Sequence, residues 1–277
     1  MTTSNDQQGA LWSLGNSVAV VTGAGGILGS RICKGLLEFG AKIAVVDIDL
    51  EASQSVAAEL NKIRASSAIS VQCDVSNATS VGQMTSRVVD VFGGIDVLVN
   101  NAASKSDDMN AFFAPFEEYS LEQWRKVMSV NIDGMFLVAQ SVGMQMIKQG
   151  RGGSIIQTSS IYGLSAPDQR IYEGSSYLGR QINTPAVYTA SKAAVIGLTN
   201  HLATYWAEKG IRVNTITPGG MESGQNEEFK RNYSKRVPMN RMGTPDEIVG
   251  AVIYLASAAS SYVTGQNIVI DGGLTCW

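Results

Sequence analysis

Seven short apolar runs rich in β-branched residues punctuate the sequence: Val18–Val21, Ile43–Val46, Ala68–Val71, Val97–Val99, Ile155–Ile156, Val213–Ile216 and Ile268–Ile270. Stretches of helical character separate them, over Leu28–Phe39, Leu50–Ile63, Ser80–Phe92, Leu121–Lys148, Val187–Lys209 and Pro245–Ala256. This alternation leaves few folds open. Parallel strands need a crossover, the crossover is right-handed, and its helix covers the sheet. The pattern predicts an α/β, doubly wound Rossmann fold: a seven-stranded parallel sheet with helices on both faces. The units consume nearly all of the 277 residues, and no linker or low-complexity segment divides them. We expect an N-terminal tail over residues 1–13 and a single dinucleotide-binding catalytic domain over 14–277.

The first strand runs into "VVTGAGGILGS", a glycine cluster that opens a helix. Backbone N–H groups at such a turn, with the positive end of the helix dipole behind them, suit a pyrophosphate. Two spacings compete. Gly23, Gly25 and Gly29 give one triplet, and Gly23, Gly26 and Gly29 give another. Asp47 ends the second strand, 24 positions after Gly23. A carboxylate there accepts hydrogen bonds from ribose hydroxyls and repels a 2′-phosphate, which favours NAD over NADP. Tyr188 and Lys192 in "YTASK" stand four apart on a helix, hence on one face. A phenol with a pKa near ~10 is a poor base at neutral pH, and a nearby ammonium lowers that value. The pair is therefore a candidate for the proton transfer that accompanies hydride transfer.

Taken together, "TGAGGILG", "CDV", "NNAA", "VNIDG", "SSIYG", "YTASK", "ITPGG" and "GQNIVIDGG" resemble, in order, the short-chain dehydrogenase/reductase family over about residues 14–273. The resemblance implies NAD-dependent interconversion of an alcohol and a carbonyl. It implies catalytic roles for Asn131 (a proton-relay asparagine), Ser160 (hydrogen-bonded to the substrate oxygen), Tyr188 (acid/base) and Lys192 (ribose contact and tuning of the tyrosine). Ser160 is preferred to Ser159 because the family's serine precedes a glycine by three positions, here Gly163. The implied cofactor contacts are Gly23, Gly25, Gly26, Ile27, Leu28, Gly29, Asp47, Ile48, Cys73, Asp74 and Val75 from the first half. From the second come Asn101, Ala102, Ala103, Asn131, Tyr188, Lys192, Pro218, Gly219, Met221 and Ser223. Asn100 and Ala102 are expected to line the channel, Asp74 to hold the adenine amino group, and Ser223 to reach the carboxamide. The family resemblance also implies a homotetramer built on the Leu121–Lys148 and Val187–Lys209 helices.

Three departures stand out. Ala103 replaces the usual glycine of "NNAA". Ile27 stands where single-domain members usually have their middle glycine, so the turn is expected to use Gly23, Gly26 and Gly29. Ser160 and Tyr188 lie 28 positions apart, roughly twice the family's usual gap. The resulting insertion, at about 164–185, is polar, and a pocket for a fatty chain should be apolar. We expect a hydroxylated or anionic substrate, a sugar, polyol or sugar derivative, contacted by Arg170 or Arg180. "SSIYG", "IYEGSSY" and "YTASK" further resemble oxidoreductases of bacterial nonulosonic-acid sugar pathways.

A net charge of −3 with no basic tract excludes a nucleic-acid partner. No apolar run approaches the ~18 residues of a membrane span, and the polar N-terminus does not read as a signal peptide, so a cytoplasmic enzyme is expected. Cys33, Cys73 and Cys276 have no metal-binding spacing, and we expect no metal. His201, the only histidine, sits in a helical run and reads as a packing or surface residue. Three rivals remain. A 3-oxoacyl-thioester reductase would want NADP and a basic docking patch. A nucleotide-sugar epimerase would need a larger C-terminal domain, and six residues follow Asp271. A nucleotide-sensing regulator without turnover would not need the Ser–Tyr–Lys set.

Overall fold

The computed structural model describes residues 9–104, 108–177 and 179–277, and for Tyr177, Arg180 and Gln181 the backbone only. Its sheet has seven parallel strands: β1 (Val18–Thr22), β2 (Lys42–Asp47), β3 (Ala68–Gln72), β4 (Val97–Asn100), β5 (Gly153–Thr158), β6 (Ile211–Pro218) and β7 (Asn267–Ile270). They lie in the order β3-β2-β1-β4-β5-β6-β7. The chain winds outward from β1 to β3, then returns to β4 on the other side of β1. That reversal opens a crevice at the carboxyl ends of β1 and β4, where open α/β sheets bind ligands.

The helices are α1 (Ile27–Glu38), α2 (Leu50–Ile63), α3 (Ala78–Phe92), α4 (Leu121–Gln149), α5 (Ala186–Tyr205), α6 (Glu227–Ser234) and α7 (Val249–Ala256). Most begin on local chemistry. Asp49, Asn77 and Ser120 accept from the backbone N–H of Ala52, Ser80 and Gln123, worth about 1 kcal/mol each. α3 and the α4 segment end on Gly93 and Gly150, both in the left-handed region. Alternate residues of each strand feed opposite faces. Val21, Val45, Val99 and Ile156 pack with α1 and α7 on one side. Val20, Val46, Leu98 and Ile155 pack with α3, α4 and Trp206 on the other. The central strands β1 and β4 are buried throughout and β2, β5 and β6 nearly so, as a sheet covered on both faces requires, while the edge strands β3 and β7 are partly open.

α4 is long and apolar enough, by length and composition, to cross a bilayer, which the sequence did not suggest. It is also a core helix: Val138, Val142 and Met146 are buried against the sheet. At Gly143 the helix lies against Trp206, where a Cβ would come within 2.4 Å of the indole. Two small clusters complete the architecture. Phe112, Val127 and Val187 tie the connection after β4 to α4 and α5. Ile161, Ile171, Tyr233, Val237 and Met242 tie the insertion to α6.

The predicted strands and helices are all present, with ends shifted by a few residues. Not foreseen were the helical turn Met109–Phe112, the helix α6 and a two-stranded hairpin of Ser176–Tyr177 with Arg180–Gln181. Of the expected tail, residues 1–8 lie outside the described residues; Gly9–Trp12 form a helical turn, with the Trp12 ring 5.9 Å from that of Tyr254.

Candidate active site

A cleft of about 1220 Å³ opens along the carboxyl ends of β1, β2, β4, β5 and β6. Of the expected cofactor contacts, Asn131 does not line it; every other one does, from Gly23 to Ser223. Ser104, Lys126, Ser129, Val130, Thr158 and Glu222 line it as well and were not expected. The spacing of Lys126, Ser129 and Val130 on a helix held that signal, since positions three and four apart share a face.

The glycine turn is built for close approach. Gly23 is left-handed, and a Cβ on it would meet Ala102 Cα at 2.9 Å. On Gly29 a Cβ would fall 2.2 Å from the Gly23 carbonyl oxygen. Between these two, the demand for glycine falls on Gly25 rather than on Gly26. A Cβ on Gly25 would strike Ala52 Cβ at 2.7 Å, whereas on Gly26 it would make an ordinary contact of 3.4 Å. The expected triplet of Gly23, Gly26 and Gly29 is thus corrected to Gly23, Gly25 and Gly29 on packing grounds. Gly26 is instead the N-cap of α1, and no side chain caps that helix. The first-turn N–H groups of α1 are left for whatever enters the cleft. An uncapped helix start behind a glycine cradle fits a dinucleotide pyrophosphate.

Asp47 is held ready at the adenosine end. Its Oδ2 accepts from Gly25 N at 2.8 Å and its Oδ1 from Asp49 N at 3.1 Å. Asp74 Oδ1 accepts from Ser76 N and Oγ at 2.9 and 2.7 Å. Cys73 is buried, and burial raises its thiol pKa. Thr22 Oγ1 accepts from the backbone of both Asn101 and Ala102, at 2.9 and 3.0 Å, so the end of β1 fixes the turn after β4. Asn100 was expected in the channel. It is instead buried and donates from Nδ2 to Met135 O at 2.9 Å, serving a carbonyl of α4. Ser223 is exposed, its Oγ accepting from Gln225 Nε2.

At the other end, β5 delivers Ser160 and α5 delivers Tyr188 and Lys192. Ser160 and the Tyr188 phenol line this end of the cleft together. Ser159 Oγ points elsewhere and donates to Lys192 O at 2.7 Å. Gly163 lets this loop lie on α5, since a Cβ would be 2.7 Å from Lys192 O. Lys192 is buried and donates from Nζ to Thr158 O at 3.0 Å. Burial pushes its ammonium pKa down to about 8. Burial also raises the Tyr188 phenol's pKa, and the nearby Ser160 hydroxyl works against that rise. Asn131 sits in a π-helical turn, Ser129–Gly134, inside α4. Its Oδ1 accepts from Ser104 N at 2.8 Å, and its Nδ2 donates to Ser191 Oγ at 3.3 Å. Such wide turns redirect a helix face and recur at functional sites. Together these groups can hold a proton on a phenol beside a buried cation.

The insertion's arginines stand differently. Arg170 is 80% exposed and pairs with Asp168 at 2.8 Å, away from the cleft. Asp168 also pairs with Arg236 at 2.6 Å, and Arg170, then Arg236, hold its carboxyl down to about 2. Arg170 is therefore withdrawn as a substrate contact, because its guanidinium is spent on this junction. The Arg180 side chain lies outside what the structure describes. His201 stacks on Tyr205 at the surface, ring centres 5.7 Å apart. No cluster of metal-ligating side chains occurs among the described residues.

A dinucleotide cleft ending in a phenol–ammonium pair defines a class of nucleotide-dependent enzyme, and comparison with known proteins names it. Residues 23–275 match the family described as Enoyl-(Acyl carrier protein) reductase. A D-threitol dehydrogenase from Mycolicibacterium smegmatis is 35% identical over 271 residues, 95% of this chain and 94% of that protein. A 3-oxoacyl-[acyl-carrier-protein] reductase from Chlamydia muridarum is also 35% identical, over 94% of this chain and 97% of its own. A crystal structure of gluconate 5-dehydrogenase from Burkholderia cenocepacia with NADP and tartrate superposes with a TM-score of 0.85 at 33% identity, covering 98% of this chain and 99% of that one. That of NAD+-bound xylitol dehydrogenase gives 0.80 at 32%, covering 94% and 99%. The chain belongs to the short-chain dehydrogenase/reductase family, and it is an enzyme.

Proposed function

We propose that this enzyme is an NAD-linked dehydrogenase that interconverts a polyol or sugar alcohol and its ketone. The observation that carries the reading is the juxtaposition of Ser160, Tyr188 and Lys192 at the end of a cleft whose far end is guarded by Asp47. Polyol and sugar-acid dehydrogenases among the relatives support the substrate class. Those relatives are named for polyols and sugar acids and not for nonulosonic acids, so the reading stands on the broader class.

A nicotinamide cofactor in the cleft supplies the hydride acceptor or donor. The chain's own residues do the rest. Tyr188 takes the proton from the substrate hydroxyl, or returns it to the carbonyl oxygen. Lys192 makes that possible by favouring the phenolate with its charge. Ser160 orients the same oxygen, and Asn131 steadies the loop carrying Ser104 and the helix carrying Ser191. The N–H groups at the start of α1 hold the pyrophosphate. Asp47 supports NAD, since its carboxylate would face a 2′-phosphate at close range. Solved relatives hold either cofactor, so the choice rests on this residue. Exposed apolar side chains on α4 (Phe136, Met144, Ile147) and Tyr205 on α5 support a homo-oligomer, a tetramer by family analogy.

A panel of polyols and sugar acids of four to six carbons, each with NAD+ and NADP+, tests the reading by nicotinamide absorbance. Oxidation of at least one polyol with NAD+ preferred is the expected result. Turnover of none of them removes the proposal.

A further inference from the structure

The loop that follows β6 forms one wall of the cleft, through Pro218, Gly219, Met221, Glu222 and Ser223. β6 lies beyond β5 in the sheet, whereas Asp47 ends β2 on the other side. The wall therefore stands at the reacting end, with Ser160, Tyr188 and Lys192, and not at the adenosine end. Its backbone is pinned from three directions. Gly219 N donates to Ile270 O of β7 at 2.9 Å. Gly220 O accepts from Gly243 N at 3.0 Å, and Glu222 N donates to Gly243 O at 2.8 Å. Gly220 N donates instead to a side chain, the hydroxyl of Tyr233 on α6.

This part of the wall is shaped around the tyrosine. Tyr233 is buried, and burial pushes its phenol up to about 12, so it bonds as a neutral hydroxyl and does not act as a second acid or base at neutral pH. Gly220 lies against the ring: a Cβ there would come within 2.5 Å of Tyr233 Cζ. A Cβ on Gly219 would fall 3.2 Å from the hydroxyl and 2.9 Å from Asp271 Cα. The Tyr233 ring is backed in turn by a stack. Phe229 lies 5.9 Å from it, and Tyr172 of the insertion lies 5.5 Å from Phe229. The Tyr172 hydroxyl is 2.6 Å from Thr184 Oγ1, just ahead of α5. An unbroken line of contacts thus runs from the insertion through α6 to the wall. A wall fixed before the ligand arrives loses little freedom on binding, and a site is only as well placed as the residues that support it.

We propose that Tyr233 is a positioning residue for the nicotinamide half of the cofactor: its hydroxyl holds the Gly219–Met221 wall in place, and Tyr172 of the insertion braces it through Phe229. This rests on the nicotinamide cofactor assigned above and not on the substrate class. The insertion then serves as a brace on the cofactor side of the reaction, and not as an anion clamp.

Tyr233→Phe keeps the ring and both stacks and removes the acceptor of Gly220 N. The probes are NADH and ADP-ribose, which lacks the nicotinamide. NADH affinity should fall at least fivefold, about the worth of one hydrogen bond, while ADP-ribose affinity stays within twofold. A general loss of structure would weaken both ligands. Tm without ligand should stay within about 4 °C of wild type. In the cofactor-free protein the Gly220 amide should exchange with deuterium at least tenfold faster in the variant. Gly220→Ala, which drives a methyl into the ring, should copy the affinity pattern, and Phe229→Leu, which breaks the stack but no hydrogen bond of the wall, should shift the same ratio in the same direction. A Tyr233→Phe variant that binds both ligands as the wild type does, or that loses both alike, overturns the inference. A wild type that binds neither NADH nor ADP-ribose overturns the functional reading itself.

Discussion

The Lys192 ammonium lies 5.9 Å from the centre of the Tyr188 ring, anchored on the carbonyl of Thr158. The molecule sustains this pair at the expense of its own stability. Lys192 has a folded pKa of about 8, against an ordinary 10.5, because burial disfavours its charge. Between those values the unfolded chain binds more protons than the folded one, so stability rises with pH across that window. The gain is about 3 kcal/mol by pH 10.5; below pH 8 both states are protonated and the contribution is flat. Lys192→Met should be inactive yet lack this rise. Denaturant unfolding of the cofactor-free protein at pH 7.5 and pH 10 measures it. Identical pH dependence in both proteins would show that the ammonium is not desolvated.

Tyr188→Phe keeps the ring and removes the hydroxyl that lines the cleft beside Ser160. kcat should fall at least a thousandfold, with NAD affinity within about twofold of wild type, since the proton is needed only in the chemical step. Retention of more than a tenth of wild-type kcat contradicts the assignment of the acid/base. Steady-state rates with fluorescence titration of NADH supply both numbers.

Much of this was legible in the sequence, and the exceptions share a cause. Tyr188 and Lys192 were readable because a spacing of four on a helix is a local rule. The strands were readable because a doubly covered sheet buries them whole, leaving β-branched runs that no helix face imitates. What escaped depends on contacts between distant residues. Gly25 is required by Ala52 and Asp47, not by its neighbours. Asn100 looked like a channel residue because its motif lines the cleft, yet its partner is Met135, 35 positions on. α6 is short and polar, with apolar residues at Phe229 and Tyr233 that face an insertion no pattern describes. Arg170 is the opposite case. Its partner Asp168 was two residues away and in view, and a charge so near should have been counted as its first claimant.

The glycine turn yields a paired prediction. Gly25→Ala should destabilise the fold by about 1–3 kcal/mol, as overpacking against Ala52 requires. Gly26→Ala should leave stability within about 0.5 kcal/mol, since its Cβ meets only an ordinary contact. Thermal unfolding without cofactor separates the two. Equal losses at both positions would restore Gly26 to the packing triplet.

Asp47→Ser removes the carboxylate at the adenosine end while keeping a hydrogen-bonding group beside Gly25 N. The preference for NAD over NADP should narrow at least tenfold in kcat/KM, mostly through a better KM for NADP. A wild-type enzyme that uses both cofactors equally well would leave Asp47 no such role.

The central claim, an NAD-linked polyol dehydrogenase, has one close competitor in a family that also holds 3-oxoacyl-thioester reductases. The direct test is a side-by-side comparison of kcat/KM for the best polyol with NAD+ and for a 3-oxoacyl thioester with NADPH, on the same preparation. Asp47 and the polar insertion lead to a polyol value at least tenfold the larger. A thioester value that exceeds it, with NADPH preferred to NADH, contradicts the account.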